Sequence, residues 1–223
     1  MRIGNGEFWL GDCLERMADI PDGSVDCVAT DIPYNEVNRK SSGLRNLDKG
    51  AADDSEFDLD RFIAESTRVC SGSFYVFCGI KQISRITELF NDAKLTTRLG
   101  VWHKTNPSPM NGTRLWLSGV EACVFARKAN ASFNEHCQSA VWSCSSQRGK
   151  IHPTQKPIDL FKRLIEASSN PNDLILDPFG GSGTTAIAAE RTGRRWICIE
   201  REPSYYYPAV GRVWGEVNQT PRS

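Results

Sequence analysis

The chain has 223 residues, of which 27 are Lys or Arg and 27 are Asp or Glu, so its formal net charge is zero. This length is enough for one well-buried α/β domain, at 1–223, and too short for two full ones. The balanced charge argues against a protein that is basic over its whole surface, and the lack of both a ~20-residue apolar run and a secretory signal predicts a cytoplasmic protein with no membrane partner.

The eight cysteines contain no C-x-x-C pair, and most of them stand inside apolar runs. Disulfide scaffolds and zinc sites place their cysteines at short, regular spacings. We therefore predict buried free thiols and no metal site.

Apolar runs and helical spacing alternate along the chain, which predicts an α/β fold. The predicted strands are 8–10, 25–30, 73–78, 96–103, 121–127, 174–176 and 196–199. The predicted helices are 14–17, 59–69, 81–91, 157–169, 183–192 and one that begins at Pro203. Ligands bind at the carboxyl ends of the strands in open α/β sheets, so the residues that follow the strands are the candidate site residues.

A carboxylate, a rigid turn and an aromatic ring follow the buried strand 25–30. Asp31 can accept a hydrogen bond from an amino group, and Pro33 holds Ile32 extended so that the Ile32 carbonyl can accept a second one. Tyr34 offers a ring that can stack on a planar base. The alternative is an N-capping Asp followed by a proline turn.

Three polar segments break the pattern of strands and helices. Residues 35–56 are charged and unpatterned, which predicts a mobile loop, with plain disorder as the alternative. Residues 105–119 follow the strand 96–103 as a proline-rich turn, and residues 128–150 are polar and basic with little periodicity. From Arg98 to Lys156, eight basic residues stand against two acidic ones, which indicates a local basic face of the kind that phosphate backbones select, with a solvated face without a ligand as an equal alternative.

A glycine-rich turn at 177–185 follows the strand 174–176 and opens a helix. Its glycines let the backbone approach a ligand closely, and Glu200 stands about 20 residues later, where an acidic side chain takes a ribose hydroxyl pair in such folds. The glycines also match the dinucleotide pattern G-x-G-x-x-G/A, but Asp177 would repel a pyrophosphate. No Lys follows the glycines, which excludes a Walker loop, and an ordinary tight turn is the remaining alternative.

Residues 31–34, 152–157 and 177–185, in that order, resemble the catalytic, pre-helix and cofactor motifs of the amino-group DNA methyltransferases. The order, with the catalytic motif first, resembles their β subgroup. The resemblance extends from about residue 8 to about residue 212 and implies a Rossmann-like methyltransferase fold, with a mostly parallel seven-stranded sheet and helices on both faces. Ile32 replaces the first of two prolines usual in the catalytic motif, which keeps the carbonyl acceptor and makes the turn less rigid.

The resemblance also implies roles for individual residues. The implied catalytic residues are Asp31, Ile32, Pro33 and Tyr34. The implied cofactor residues are Asp177, Phe179, Gly180, Gly181, Ser182, Gly183 and Thr184 in the turn, Glu200 at the ribose, Asp12 and Cys13 at the adenine, and Thr154 and Lys156 near the cofactor carboxylate. For Thr154 and Lys156 a helix-entry loop is an equal alternative. The implied DNA contacts are Lys104, Asn106, Arg39, Lys40, Arg148 and Lys150.

The resembled family moves a methyl group from S-adenosylmethionine to an exocyclic amine of adenine or cytosine in double-stranded DNA. Asp31 resembles the adenine-N6 members, since the cytosine-N4 members usually have Ser there. We therefore expect a prokaryotic or phage-encoded, site-specific adenine-N6 DNA methyltransferase. A homodimer and a cognate restriction endonuclease are the further partners that this family suggests. Residues 128–150 stand where the β subgroup inserts its target-recognition region, and so short a segment predicts a short recognition sequence, weak specificity or help from a second subunit.

Other functions remain open from the residues alone. Cytosine-N4 methylation uses the same turn, and so would methylation of an amine in RNA or in a protein side chain. A catalytically silent nucleic-acid-binding relative would keep the fold, and a nicotinamide oxidoreductase would explain only the glycine pattern.

Overall fold

Nine strands form one mixed sheet in the part of the chain that is described, and helices cover it. The computed structural model describes residues 1–34, 57–109, 112–146 and 155–219. The strands are β1 (Arg2–Ile3), β2 (Gly6–Leu10), β3 (Val25–Asp31), β4 (Cys70–Cys78), β5 (Thr96–Lys104), β6 (Val120–Arg127), β7 (Val141–Cys144), β8 (Leu174–Asp177) and β9 (Arg195–Glu200). The helices are α1 (Cys13–Met17), α2 (Leu59–Val69), α3 (Ile83–Asp92), α4 (Ile158–Ser168), α5 (Thr184–Arg191) and α6 (Pro203–Gln219). None of these helices is long and apolar enough to cross a bilayer.

The order of the strands is β1-β2-β9-β8-β3-β4-β6-β5-β7. Five neighbouring pairs are parallel, namely β2 with β9, β9 with β8, β8 with β3, β3 with β4, and β5 with β7. The pairs β1 with β2, β4 with β6, and β6 with β5 are antiparallel. The α/β class and the mostly parallel sheet are thus confirmed.

The prediction of seven strands is wrong, because β1 and β7 add one short strand at each edge. β1 has two residues, too few to show an alternating pattern, and pairs with β2 through a turn in which Gly4 has a φ of 53°. β7 lies inside the polar segment 128–150, and only Trp142 among its four residues is buried. The mobile loop expected at 35–56 lies outside the described residues.

Each central strand contributes side chains to two apolar layers, one on each face of the sheet. In β3, Cys27 and Ala29 face the layer built with α4, α5 and α6, while Val28 faces the layer built with α1, α2 and α3. Burial on both faces explains why these strands are continuous apolar runs in the sequence. Six of the eight cysteines are free thiols buried in these layers, so the prediction of buried thiols holds for them.

The carboxyl ends of β2, β3, β4, β8 and β9 meet at one edge of the sheet, because these strands are parallel. β5 runs in the same direction as β4, since β6 is antiparallel to both. The start of β6 therefore lies at the same edge, and Trp102 of β5 pairs there with Glu121 of β6. This edge collects the residues of the candidate site.

Candidate active site

The turn that follows β3 is anchored to the segment that follows β4. The Ile32 amide donates to the Phe77 carbonyl at 3.1 Å, and the Gln82 side-chain amide donates to the Pro33 carbonyl at 3.0 Å. Gln82 is itself oriented by the Gly79 amide, which donates to its side-chain oxygen at 2.9 Å. These bonds restrain the turn from both sides and supply rigidity that Ile32 lacks in place of a proline.

The two oxygens of the Asp31 carboxylate each receive a hydrogen bond from a different side chain. The Tyr34 hydroxyl donates to Oδ1 at 2.8 Å, and the Lys156 ammonium lies 2.5 Å from Oδ2. Burial, Asp31 and Glu121 raise the pKa of Tyr34 well above its ordinary value, so the phenol stays protonated and remains a donor. Asp31 is therefore oriented by one neutral and one charged group.

Lys156 is shared between Asp31 and a second carboxylate, that of Glu121. Its Nζ lies 2.9 Å from Glu121 Oε2, and Lys104 Nζ lies 2.6 Å from Glu121 Oε1. The Lys156 side chain is only 6% exposed, and its ammonium also lies 5.6 Å from the centre of the Tyr34 ring. We refer to Asp31, Glu121, Lys104 and Lys156 as the carboxylate–lysine cluster; its two acids and two bases have no net charge.

The electrostatics of the cluster favour charged forms of Lys156 and Glu121. Burial lowers the pKa of Lys156, but Asp31 and Glu121 together outweigh it and raise the pKa above its ordinary value. Burial raises the pKa of Glu121, yet Lys156 and Lys104 outweigh it and leave the pKa below the usual range. Burial also raises the pKa of Asp31, and Lys156 offsets only part of that rise.

The glycine turn between β8 and α5 is a tight loop in which Gly181 and Gly183 have φ values of 47° and 76°. L side chains rarely adopt this left-handed conformation, so glycine is required there. A Cβ on Gly181 would meet only the Phe179 carbonyl oxygen, at 3.7 Å, which means that open space lies above this backbone. A Cβ on Gly180 or Gly183 would instead lie 2.9 Å from the Phe8 ring or 2.8 Å from Val213 Cγ2, so the turn is open at Gly181 and packed against the core at its other two glycines.

The Asp177 carboxylate holds the start of this turn together. It accepts hydrogen bonds from the hydroxyls of Thr30 at 2.7 Å and Thr185 at 2.5 Å, and from the Phe179 amide at 3.1 Å. The residue is 4% exposed, and burial raises its pKa to about 6. Its carboxylate is thus engaged inside the protein, and its role toward a cofactor stays a prediction.

Glu200 and Asp12 also bind backbone amides at this edge. Glu200 accepts from the Gly181 amide at 2.9 Å and from the Glu202 amide at 2.8 Å, while Asp12 caps α1 by accepting from the Leu14 amide at 2.9 Å. Burial raises the pKa of Glu200, and it raises that of the Cys13 thiol, the first residue of α1, to about 12. Glu200 therefore lies beside the glycine turn, and Asp12 lies just after the end of β2. The assignment of Glu200 to the ribose and of Asp12 and Cys13 to the adenine stays a prediction.

Lys156 connects the glycine turn with the turn that follows β3. The Thr184 hydroxyl donates to the Lys156 carbonyl at 3.3 Å and lies 3.2 Å from the Ser182 hydroxyl, while the Lys156 side chain extends to Asp31. The structure therefore places this lysine on the Asp31 carboxylate. Its expected contact with a cofactor carboxylate stays a prediction.

The expected DNA contacts are only partly described. Lys104 belongs to the carboxylate–lysine cluster, and Asn106 joins two loops by accepting from the Ser146 amide at 2.7 Å and donating to the Ser146 carbonyl at 3.2 Å. Outside the described residues lie Arg39, Lys40, Arg148 and Lys150, together with Thr154 of the cofactor set.

Sequence reasoning missed Glu121 and Gln82 as site residues. Glu121 is one of only two acidic residues in the basic stretch between Arg98 and Lys156, and it directly precedes the apolar run 122–126 of β6. That position is a signal for a buried ion pair, because a lone carboxylate at the start of a buried strand needs a cationic partner.

Comparison with known proteins agrees with this geometry. The DNA methylase family model N6_N4_Mtase matches residues 25–210. The chain is 32% identical over 239 residues to the type II methyltransferase M.HinfI of Haemophilus influenzae, covering 91% of this chain and 67% of that protein. It is 30% identical over 230 residues to the type II methyltransferase M2.MboI of Moraxella bovis, covering 89% and 84%.

A solved structure supports the same relationship at the level of the fold. The crystal structure of the M1.HpyAVI–SAM complex superposes with a TM-score of 0.74 and 28% identity, over 93% of this chain and 98% of that chain. The family model covers most of the chain and includes the turn that follows β3, the carboxylate–lysine cluster and the glycine turn. The chain therefore belongs to the N6/N4 DNA methylase family.

Proposed function

We propose that this protein is a site-specific DNA methyltransferase that moves a methyl group from S-adenosylmethionine to the N6 amine of an adenine. The observation that carries the proposal is the meeting, at one sheet edge, of the Asp31 turn and the open glycine turn, joined by Lys156. The names of M.HinfI and M2.MboI as type II methyltransferases, and the SAM complex of M1.HpyAVI, support it.

The residues at the glycine turn fit S-adenosylmethionine. The open backbone at Gly181 accommodates close approach, and Glu200 beside it is a carboxylate that can accept hydrogen bonds from ribose hydroxyls. Asp12 and Cys13 at the end of β2 would flank the adenine, and Asp177 would stabilise the turn facing the methionine end. When bound, the cofactor supplies an electrophilic methyl group on a sulfonium.

Asp31 and Ile32 would position the amine that attacks this methyl group. The lone pair of an exocyclic amine is delocalised into the base, so the nitrogen is a poor nucleophile unless its N–H groups are held. The Asp31 carboxylate and the Ile32 carbonyl would each accept one N–H, which aligns the nitrogen and favours the geometry that frees its lone pair. Burial raises the pKa of Asp31 and so makes it a stronger acceptor for the proton that the amine releases.

Tyr34 would bind the face of the target base. Its hydroxyl is tied to Asp31, so the ring has a set orientation relative to the carboxylate. A base inside the duplex cannot bring its amine to a buried carboxylate, and enzymes that act on bases therefore take the base out of the stack. Stacking on an aromatic ring contributes about 1–3 kcal/mol per base.

Double-stranded DNA, a homodimer and a cognate restriction endonuclease are the partners that we propose. The name of type II methyltransferases among the relatives supports the first and the last of these. The short segment that reads the site, within 128–150, supports a second subunit, and the mass of the protein in solution by light scattering tests it.

The second candidate is cytosine-N4 methylation, because Asp31 can accept from either amine and the family includes both activities. Adenine is favoured by the resemblance of the Asp-x-Pro-Tyr turn to adenine-N6 members. The two candidates share every step above and differ only in the product.

The experiment is incubation with labelled S-adenosylmethionine and unmethylated DNA, followed by digestion to nucleosides and mass spectrometry. We expect N6-methyldeoxyadenosine, and sequencing of the methylated DNA then gives the recognition site. Detection of N4-methyldeoxycytidine would show that the target base is cytosine and not adenine. No methylated nucleoside, with donor binding measured separately, would contradict the proposal.

A further inference from the structure

Lys156 competes for the oxygen of Asp31 that a substrate amine would use. Tyr34 already donates to Oδ1, and the Lys156 ammonium lies on Oδ2 at 2.5 Å, so both oxygens have donors before any substrate arrives. Each oxygen can accept a second hydrogen bond, but a charged donor on Oδ2 weakens it as an acceptor, so the target amine binds Asp31 more strongly when Lys156 moves away. Tyr34 belongs to the same short turn as Asp31, whereas Lys156 comes from the segment before α4 on a long, flexible stem.

A second carboxylate is already in place to receive this lysine. Glu121 Oε2 lies 2.9 Å from Lys156 Nζ, and it is also 3.4 Å from the Tyr34 hydroxyl. A small shift of the ammonium toward Glu121 would leave Asp31 while keeping the lysine paired. The shift therefore avoids the large cost of burying an unpaired ammonium.

The charges of the cluster fit the arrival of a cationic cofactor. Asp31, Glu121 and Lys156 together carry a net charge of −1, and Lys104, bound to the other oxygen of Glu121, brings the cluster to zero. Without Glu121, Asp31 would be left with both lysines, and the resulting net positive charge would repel the sulfonium of the donor. Glu121 thus keeps the cluster neutral in addition to offering Lys156 a second partner.

We propose that Glu121 is a positioning residue for methyl transfer, which takes Lys156 from Asp31 when the target amine binds. The inference rests on the proposed function, because it assumes that Asp31 accepts the amine. The exchange makes and breaks hydrogen bonds only, and Lys156 stays protonated throughout. Lys156 thus binds Asp31 reversibly, and Glu121 sets how readily Lys156 leaves Asp31.

The decisive test is second-site rescue. Glu121→Gln leaves Lys156 with Asp31 as its one carboxylate, so we expect kcat to fall about tenfold or more. Adding Lys156→Met, which has a similar volume and no charge, opens Oδ2 again, so E121Q/K156M should recover at least about threefold over E121Q. The affinity for S-adenosylmethionine and the melting temperature verify that each variant is folded.

The matched control is Glu65→Gln. Glu65 is a half-buried carboxylate like Glu121, with side chains 26% and 20% exposed, and it is paired with Arg68 at 2.8 Å. It lies on α2 outside the site, so kcat should stay within about twofold. A double variant no more active than E121Q, or an E121Q enzyme with wild-type kcat, would overturn the proposal. If E121Q does not fold, Glu121→Asp takes its place, with the same rescue expected.

A readout without turnover separates this inference from the proposed function. In protein with ¹³C-labelled lysine, the Lys156 signal is assigned by its loss in K156M, and its titration should move to lower pH in E121Q, because one of two carboxylates is removed. The other titratable groups that interact electrostatically with Asp31, Glu121 or Lys156 are Tyr34, Cys78, Lys104, Cys123 and Asp177. An unchanged titration overturns the inference. A shifted titration with no methylated nucleoside from the wild type refutes the proposed function instead, and with it the role of the exchange in methyl transfer.

Discussion

Asp31 and Asp177 end neighbouring strands, β3 and β8, yet their carboxylates are held by different kinds of partner. Asp177 is bound by two hydroxyls and one amide, all neutral, whereas Asp31 is bound by a phenol and by the ammonium of Lys156. The donors to Asp177 lie on β3, on α5 and in the glycine turn, and among the described residues only the Thr185 hydroxyl reaches a second acceptor, the Ala29 carbonyl at 3.4 Å. Lys156 has one, in Glu121. The comparison separates a carboxylate that stabilises the fold from one that can exchange its partner for a substrate.

Removal of the Asp31 carboxylate should have the largest effect, and it should lower the rate of methyl transfer without changing the affinity for the donor. We expect Asp31→Ala to reduce methyl transfer about a thousandfold or more, because the amine loses its acceptor. Donor affinity, measured by calorimetry, should stay nearly unchanged. Asp22→Ala, which removes an exposed carboxylate bound to Arg68, is the control. If D31A also loses the cofactor, the roles assigned to the two turns are wrong.

Removal of the fold-stabilising carboxylate should instead reduce stability. Asp177→Ala leaves the donors on Thr30, Thr185 and Phe179 without their acceptor, so we expect a loss of about 2–4 kcal/mol in the free energy of unfolding. Urea denaturation measures this loss. A loss below about 1 kcal/mol would mean that the turn does not depend on Asp177.

The pH dependence of stability sharpens the same contrast. Burial raises the pKa of Asp177 from 3.8 to about 6, so the folded protein binds this proton more tightly than the unfolded chain. The resulting stabilisation is complete below the unfolded pKa and is lost as the pH rises through about 6. Relative to Asp177→Asn, the wild type should therefore lose up to about 3 kcal/mol between about pH 4 and pH 7. Parallel denaturation curves that keep a constant difference would refute the linkage.

Glu200 offers the smallest of these effects, at the far side of the glycine turn. Glu200→Ala removes the acceptor of the Gly181 amide together with the expected ribose contact, so we expect donor affinity to fall about tenfold. Calorimetric titration with S-adenosylmethionine measures it, with Glu88→Ala, from an exposed pair with Arg85, as the control. Unchanged affinity would remove Glu200 from the cofactor site.

The sequence predicts most of the fold because its signals are local. In the described part of the chain, the strands other than β1 and β7 and the six α-helices lie near their predicted positions, since each is an apolar run or a helical repeat. β7 was not predicted, because one buried tryptophan among four residues does not make a pattern, and its strand forms only by pairing with β5. Tertiary pairing overrides local propensity at such positions.

The candidate site also contains residues that local motifs predict and contacts that only the fold brings together. The Asp31 turn and the glycine turn are contiguous motifs and could be predicted as such. The lone carboxylate of Glu121 signals an ion pair, but its partner Lys156 could not be predicted, because their contact depends on β6 running antiparallel to β4, and pairing across a sheet leaves no short spacing in the sequence. Lys156 was predicted as a site residue, but its partner Asp31 is 125 positions away.

These long separations in sequence also constrain how the protein folds during its synthesis. β3 lies at the centre of the sheet, yet one of its neighbours, β8, comes from the last quarter of the chain, and Thr30 meets Asp177 across 147 positions. During synthesis β3 leaves the ribosome long before this neighbour exists, and contacts so remote in sequence close slowly. Until then one side of β3 is an open edge in a nascent chain, where strand pairing with other chains competes. A nascent chain that stops before β8 thus carries Asp31 but can neither protect that edge nor form the glycine turn.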